Sequence, residues 1–373
     1  MIKLAKPCIP RTAIKKVIEV LESGNLVQGN YVKEFEAALQ NYLNIKHVIV
    51  VSSGTAALHL SLMALDIKKS DEVIVPAFAF PATANVVELV GAKSVFVDIT
   101  LDDFCMDASE IEETVTDKTK VIMPVHEFGQ SAEMDKILTI AEKYNLEIVE
   151  DAACAIGTEF NNEKVGTFGK LGCFSFHPRK AITTGEGGAV ATNDDDLAER
   201  IRSLRNHGIS VKNGKNDFVC AGLNYRMTDF QAALGLFQLS KIEHIINTRI
   251  EMARRYDERL LEIDWIKTPT KLKNRKNTYQ TYHIVVDDKI NRDKLISSLK
   301  DAGIETNLGA QALNCLTYYK NKYDYKEAGF PKAVLAYMKG LALPIGNHVM
   351  DSDVSFICEK INVLSKGIIN DSH

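Results

Sequence analysis

The chain has 373 residues, 46% hydrophobic and 25% charged, so it is long enough to bury the cores of two domains. Its 45 Lys and Arg residues nearly balance 49 Asp and Glu residues, and the net charge of -4 argues against a nucleic-acid or anionic-membrane partner. The seven cysteines form no CxxC pair, so we expect neither a disulfide framework nor a metal site.

The first part of the chain is predicted to be helical. A helical pattern runs from about Pro10 to Leu43, and Gly24 interrupts it. Apolar residues share one face of its first half, namely Ile14, Val17, Ile18 and Leu21.

Seven short apolar runs follow, and helical stretches separate the early ones. Runs without polar alternation are typical of strands that are buried on both faces. The runs are His47–Val51, Glu72–Pro76, Ser94–Val97, Lys120–Pro124, Glu147–Glu150, Cys173–Phe176 and Gly188–Ala191. The helical stretches lie near Ala56–Leu65, Ala82–Val90, Ala108–Val115 and Glu133–Lys143. This alternation predicts an α/β fold whose large domain has a mainly parallel, seven-stranded mixed sheet between helices.

The C-terminal part is predicted to form a smaller α+β domain. A long helical stretch at Thr228–Leu261 opens it, and a strand at Thr281–Val286 follows. Further helices are predicted at Arg292–Ala302, Lys332–Lys339 and Asp351–Leu364. We expect the boundary in the polar segment Asn213–Asp217, which gives a large domain of residues 1–215 and a small domain of residues 216–373.

Candidate site residues follow the apolar runs, because ligands of open α/β sheets bind beyond the carboxyl ends of the strands. After the first run, Ser53, Gly54 and Thr55 enter a helix, whose N-terminus favours a phosphate. Ordinary helix capping explains the same pattern.

The run EIVE leads to Asp151, whose carboxylate could hold the proton of a pyridine nitrogen. Capping of the next segment or an Arg partner is the alternative.

Lys180 follows another run, within the segment CFSFHPRKAITTGEGG. A lysine there could form a Schiff base, or Arg179 and Lys180 could simply be a basic turn in solvent. Phe80, beyond the run EVIVP, could be a core residue or an aromatic platform for a cofactor ring.

A pyridoxal 5'-phosphate (PLP) site needs a phosphate cup, an acid for the ring nitrogen, a lysine and a group over the ring. Because all four candidates follow strands of one predicted sheet, their joint occurrence favours such a site.

These motifs resemble those of the DegT/DnrJ family of sugar aminotransferases, which share the aspartate-aminotransferase fold, fold type I of the PLP enzymes. The resemblance covers nearly the whole chain. It is carried by SGNLVQG, VSSGTAALHL, PVHEFGQSAEMD, EDAACAIG, FSFHPRKAITTGEGG and GLNYRMT.

The resemblance implies a role for each matching residue. Lys180 would hold PLP as a Schiff base and move the substrate proton, Asp151 would hold the pyridinium proton, and Phe80 would stack on the ring. The phosphate would be bound by Ser53, Gly54, Thr55 and the Ser175 hydroxyl.

The resemblance also implies a homodimer with shared active sites, because Asn224 would reach the phosphate of the neighbouring subunit. Leu26, Gln28 and Asn307 are the candidate substrate residues.

Two departures from the family pattern stand out. Cys154 takes the place of the Gln or His that usually contacts the cofactor's ring hydroxyl, so that contact is weaker, water-mediated or supplied elsewhere. The stretch Glu305–Asn314 replaces a Tyr/Pro/His-rich substrate segment, so the substrate pocket does not transfer from the family.

The function that the resemblance implies is transamination of a keto-sugar linked to a nucleoside diphosphate. L-Glutamate would be the amino donor, pyridoxamine 5'-phosphate (PMP) would form during turnover, and the product would serve amino-sugar synthesis for surface glycans such as lipopolysaccharide O-antigen. Scattered cysteines and first residues without an apolar leader predict a cytoplasmic protein.

The sequence leaves two alternative functions to consider. One is a PLP sugar dehydratase of the same fold, in which His replaces the lysine; Lys180 argues against it. The other is a non-catalytic regulator that senses the cofactor. Such a protein usually carries an added basic DNA-binding segment, which the length and charge of this chain do not favour.

Overall fold

The computed structural model describes residues 1–212 and 214–365. Residues 213 and 366–373 lie outside this range, and with them part of the predicted boundary segment and the end of the predicted small domain. Within the described residues, no helix is both long and apolar enough to span a membrane.

The described residues form thirteen α-helices. In chain order they are α1 (Arg11–Ser23), α2 (Asn30–Leu43), α3 (Gly54–Ala64), α4 (Ala82–Leu89), α5 (Ala108–Ile111), α6 (Met134–Tyr144), α7 (Asp195–Arg205), α8 (Asp229–Leu239), α9 (Ile242–Leu260), α10 (Arg292–Asp301), α11 (Thr317–Tyr323), α12 (Pro331–Lys339) and α13 (Asp351–Ser365).

The described residues also form seventeen strands, many of them short. They are β1 (His47–Val51), β2 (Glu72–Pro76), β3 (Phe78–Ala79), β4 (Lys93–Val97), β5 (Thr119–Ile122), β6 (Glu147–Asp151), β7 (Glu159–Phe160), β8 (Glu163–Lys164), β9 (Leu171–Ser175), β10 (Gly188–Thr192), β11 (Ile209–Lys212), β12 (Lys215–Phe218), β13 (Ile266–Lys267), β14 (Arg275–Lys276), β15 (Tyr282–Val286), β16 (Gln311–Ala312) and β17 (Gly340–Leu343).

A seven-stranded sheet forms the centre of the molecule, with the strand order β1-β10-β9-β6-β5-β2-β4. Only β10 runs antiparallel to its neighbours, so the predicted mainly parallel α/β fold is confirmed. Each predicted apolar run becomes one of these strands, with ends shifted by two residues at most. The carboxyl ends of β1, β2, β5, β6 and β9 therefore meet at one edge of the sheet, where the candidate site residues follow.

Hydrophobic clusters cover both faces of the sheet. Residues of one strand alternate between them: Ile49 and Val51 join one cluster, and Val48 and Val50 join the other. Helices α3, α4 and α7 contribute to the first cluster, and α2, α6 and α8 contribute to the second. Burial on both faces explains why these strands read as unbroken apolar runs.

The first helical stretch is α1 and α2, and Gly24 ends α1 in the left-handed conformation at φ 71°. The apolar face predicted for α1 does not pack on the core. Ile14, Ile18 and Leu21 are each almost half exposed, whereas Ala13 and Val20 are buried on an adjacent face, and α1 packs against α8.

The stretch predicted as one helix at Thr228–Leu261 is two helices, α8 and α9, which separate at Ser240 and Lys241. The chain changes direction there because α8 packs against α1 and α2, whereas α9 packs against α13. A third hydrophobic cluster collects residues from Met252 to Ile361, around the sheet β13-β15-β17. The division of the chain between residues 215 and 216 stays a proposal.

Candidate active site

A cavity of about 540 Å³ lies at the carboxyl edge of the sheet, a size within the usual range of cofactor and ligand sites. Nine of the predicted site residues line it, namely Ser53, Gly54, Thr55, Phe80, Asp151, Cys154, Ser175, Lys180 and Asn307. The fold thus brings together residues that are spread over more than 250 positions of the sequence.

The start of α3 forms one end of the cavity. Ser53 caps the helix, and its hydroxyl accepts a hydrogen bond from the amide of Ala56 at 3.0 Å. Gly54 follows it, and a Cβ there would lie 2.8 Å from the Cβ of Ser175, so only glycine lets the two segments approach this closely. The backbone amides at this helix start and the Ser175 hydroxyl can therefore face one small anion.

Asp151 ends β6 with its carboxylate in the cavity, where it is 4% exposed. One oxygen accepts a hydrogen bond from the Thr83 hydroxyl at 2.7 Å, and the other accepts from the amide of Ala153 at 3.1 Å. Burial raises the pKa of Asp151, although these donors and Lys180 act in the opposite direction. No salt bridge to Asp151 is found in the described ranges, so a cationic ring nitrogen would meet an acid that still lacks a paired cation.

The adjacent Glu150 has a different environment, because successive side chains of a strand point to opposite faces. Its carboxylate is fully buried and accepts hydrogen bonds from the amides of Gly166, Phe168 and Gly169, each at 2.7 Å. The His126 ring also contacts it, at 2.9 Å. Glu150 is therefore a structural residue, and Asp151 is the chemically available one.

Lys180 is not part of a basic turn in solvent. Its Nζ lies in the cavity and donates a hydrogen bond to the Sγ of Cys154 at 3.0 Å, while the neighbouring Arg179 side chain is exposed. Burial lowers the pKa of Lys180, but Cys154, Glu127 and Asp151 raise it by more, so the net shift is upward. Burial also raises the pKa of Cys154, to about 11, which keeps it a thiol at neutral pH.

Phe80 lies at the cavity wall with 65% of its side chain exposed, which is unusual for a core phenylalanine. Asn307 joins the cavity from the C-terminal part of the chain, and its side-chain oxygen accepts a hydrogen bond from the amide of Gly309 at 2.9 Å. Pairing of β3 with β16 holds these two regions together.

The cavity of a single chain does not include Leu26, Gln28 or Asn224. Leu26 and Gln28 lie in surface grooves near α1 and α2. Asn224 is exposed and bridges to Asn206 through the backbone. Their proposed contacts with the cofactor or the substrate therefore require a second copy of the chain and stay proposals.

Sequence reasoning missed Thr83, Glu127 and His177, which also line the cavity. Thr83 stands three residues after Phe80. Glu127 follows the run at β5, so the rule of reading polar residues after each run, applied there too, would have selected it. Burial raises the pKa of Glu127 to about 8 and lowers that of His177.

The donor set fits PLP: a buried acid, a lysine whose Nζ lies in the cavity, a helix start closed by Gly54, and an exposed aromatic ring around one cavity. Fold and site together define the class of fold type I PLP enzymes. Residues 7–362 match the model of the DegT/DnrJ/EryC1/StrS aminotransferase family, and the chain belongs to this family.

Named relatives agree with this membership. The GDP-perosamine synthase of Caulobacter vibrioides is 40% identical over 281 residues, which span 74% of this chain and 76% of that protein. The structure of Helicobacter pylori PseC, an aminotransferase involved in the biosynthesis of pseudoaminic acid, has a TM-score of 0.93 at 30% identity and covers 98% of this chain and 100% of its own.

The cofactor is identified by a further set of structures. Spr1654 from Streptococcus pneumoniae, solved in PLP and PMP forms, has a TM-score of 0.94 with 30% and 29% identity, covering 99% of this chain and 100% of its own. The protein is therefore a PLP-dependent sugar aminotransferase.

Proposed function

We propose that the protein transfers the amino group of L-glutamate to a keto-sugar linked to a nucleoside diphosphate. The observation that carries this proposal is the single cavity that holds both Lys180 and Asp151 beside the start of α3. Kinship to a GDP-perosamine synthase supports a nucleotide-linked substrate, since that relative's name includes the nucleotide.

Each residue of the cavity has a proposed task. Lys180 holds the cofactor and moves the proton at the substrate carbon, because its Nζ lies in the cavity beside Cys154. Asp151 keeps the ring nitrogen protonated, and Thr83 orients its carboxylate. PLP, when bound, supplies an electron sink for the charge that develops on that carbon.

The remaining tasks concern binding. Ser53, Gly54, Thr55 and Ser175 hold the phosphate at the helix start, where the dipole and the free amides favour an anion. Phe80 covers the face of the ring and excludes water from it.

The active form proposed here is a homodimer with shared sites. Its support is the position of Asn224, Leu26 and Gln28 outside the cavity of one chain, together with the exposed apolar face of α1. An exposed stripe of large apolar residues is typical of a surface that another protein covers.

We also propose that the product enters the synthesis of a surface polysaccharide such as O-antigen, in the cytoplasm. The dehydratase alternative requires His at position 180, and the lysine found in the cavity favours transamination instead.

The test is an assay that couples 2-oxoglutarate release to acceptor identity. Purified protein with PLP is given L-glutamate and, in parallel, keto-sugars linked to guanosine, uridine or thymidine diphosphate, with the free keto-sugars as controls. We expect turnover with one nucleotide-linked acceptor. Turnover with free sugars alone, or with no sugar, would contradict the proposed substrate class.

A further inference from the structure

Glu127 is a buried carboxyl in the cavity without an assigned role. It follows β5 and is 4% exposed. The backbone amide of Phe128 is its hydrogen-bonding neighbour, and no salt bridge to it is found in the described part of the chain. A buried, titratable group in a reactive cavity is a candidate functional residue.

The strand order shows on which side of the site Glu127 lies. Ser53 follows β1 and Ser175 ends β9, so the proposed phosphate cup is at one end of the cavity. Asp151, at the end of β6, comes next, and Glu127, after β5, comes beyond it. Glu127 therefore lies on the side of Asp151 that is remote from the cup.

The chemistry of PLP relates this side to one ring substituent. The carbon that carries the aldehyde is flanked by the phosphate arm on one side and the ring hydroxyl on the other. A ring with its phosphate in the cup and its aldehyde carbon at Lys180 turns its hydroxyl away from the cup, toward Glu127. The electrostatic influence of Glu127 on Lys180 and Cys154 indicates that it is near this corner.

We propose that Glu127, and not Cys154, contacts the ring hydroxyl of PLP in this protein. The inference rests on the proposed roles of Lys180 and the phosphate cup. Cys154 stands where relatives have Gln or His, but a thiol is a weak hydrogen-bonding group, and Lys180 already contacts its sulfur. A carboxyl group can both donate and accept, and protonated Glu127 can donate to the ring oxygen.

The charge of Glu127 depends on groups that face it from several elements. Its pKa is raised to about 8, mainly by burial and to a smaller extent by Asp151, while Lys180 and the backbone amide of Phe128 act in the opposite direction. Cys154 and Cys105 also face it, and both are thiols with raised pKa values. In the cofactor-free chain Glu127 therefore changes from hydrogen-bond donor to anion near pH 8. In the loaded protein, a carboxyl that titrates beside the ring hydroxyl gives the contact a spectroscopic signature.

The experiment uses PLP-loaded protein and two readouts, the dissociation constant of PLP and the pH titration of the visible absorbance. Glu127→Leu should weaken PLP binding roughly tenfold or more, as expected for a lost hydrogen bond to a charged group. Glu127→Gln keeps a donor but cannot titrate, so it should bind PLP nearly as wild type and lose the absorbance transition that Glu127 contributes. The surface variant Glu163→Gln is the matched control.

Cys154→Ala tests the rival contact. A larger loss of PLP affinity in Cys154→Ala than in Glu127→Leu would overturn the inference, as would identical titrations of wild type and Glu127→Gln. If Glu127→Leu fails to fold, the titration of Glu127→Gln still tests the proposed contact of Glu127 with the ring hydroxyl. If wild-type protein forms no borohydride-reducible link between PLP and Lys180, the proposed function fails; if only the Glu127 effects are missing, the inference alone fails.

Discussion

The Nζ of Lys180 donates a hydrogen bond to the Sγ of Cys154 at 3.0 Å, inside the cavity at the carboxyl edge of the sheet. This contact holds the lysine toward the ligand space instead of the solvent. It joins the segment after β9, which carries the proposed lysine, to the segment after β6, three residues beyond the proposed acid Asp151.

Removal of the lysine should abolish the chemistry without unfolding the protein. We expect Lys180→Ala to lose the visible absorbance of lysine-linked PLP and all transamination, because no other amine is offered at that position. Lys170→Ala is the matched control, since Lys170 pairs with Asp194 at the surface. Retained turnover in Lys180→Ala would refute the assignment of this residue.

Substitution of Asp151 should affect activity, whereas substitution of the adjacent Glu150 should affect stability. Because burial raises the pKa of Asp151, its ionised form costs stability at neutral pH, and Asp151→Asn should not lower the melting temperature. It should lower kcat roughly a hundredfold or more, about 3 kcal/mol, because an amide cannot hold the ring proton.

Glu150→Ala should instead destabilise by on the order of 3–5 kcal/mol, because it strands His126 and three buried amides. Thermal unfolding and steady-state kinetics of both variants check this. A stability loss in Asp151→Asn as large as that in Glu150→Ala would show that Asp151 is structural.

The approach of Gly54 to Ser175 should be required for binding of the cofactor's phosphate. A Cβ at Gly54 would lie 2.8 Å from the Ser175 Cβ, so Gly54→Ala must displace the helix start. We expect PLP affinity to fall roughly tenfold or more. Gly329→Ala is the control, because a Cβ there meets nothing within 4 Å. Fluorescence titration with PLP measures both, and equal affinities would contradict the proposed cup.

Glu127 should make the stability of the cofactor-free protein depend on pH. Its folded pKa of about 8 is above the ordinary value of 4.5, so the folded state binds the proton more tightly than the unfolded state. Stability should therefore fall as pH rises from about 4.5 to about 8 and then level off.

Glu127→Gln should lack this contribution, so its melting temperature should gain on wild type as pH rises through that window. Other titratable groups affect both proteins equally, so the difference between the two melting temperatures reports the contribution of Glu127 alone. A constant difference between pH 5 and pH 8.5, roughly the two ends of the window, would mean that the carboxyl is not protonated in the folded state.

Shared active sites predict complementation between two inactive variants. If Asn224 acts in the partner's site, Lys180→Ala and Asn224→Ala chains should form hybrid dimers with one intact site. Random exchange of equal amounts should restore about a quarter of wild-type activity. No recovery in a mixture shown by mass to contain hybrids would place Asn224 outside the neighbouring site.

Much of the fold could be predicted because its central strands are buried on both faces and read as apolar runs. The break between α8 and α9 could not, because both halves keep helical periodicity and only their different packing partners separate them. The apolar face of α1 could be predicted but not its exposure, since helical periodicity does not say what covers a face.

The residues of the site could likewise be predicted only in part. Lys180 and Asp151 could be found because Asp151 ends β6 and Lys180 follows β9 by five residues, and the sheet brings strand ends together. Glu127 follows the run at β5 and could have been found by the same rule. The contact of Thr83 with Asp151 depends on how α4 packs over the sheet, which local sequence does not specify. The sugar and the nucleotide could not be predicted, because the stretch Glu305–Asn314 follows no pattern that names a ligand.

The most direct test of the proposed transamination is to add L-glutamate alone to PLP-loaded protein. We expect the visible absorbance of lysine-linked PLP to be replaced by that of PMP, with one equivalent of 2-oxoglutarate released per site. A nucleotide-linked keto-sugar should then restore the first spectrum. An unchanged spectrum at saturating glutamate, in protein with full PLP occupancy, would contradict it.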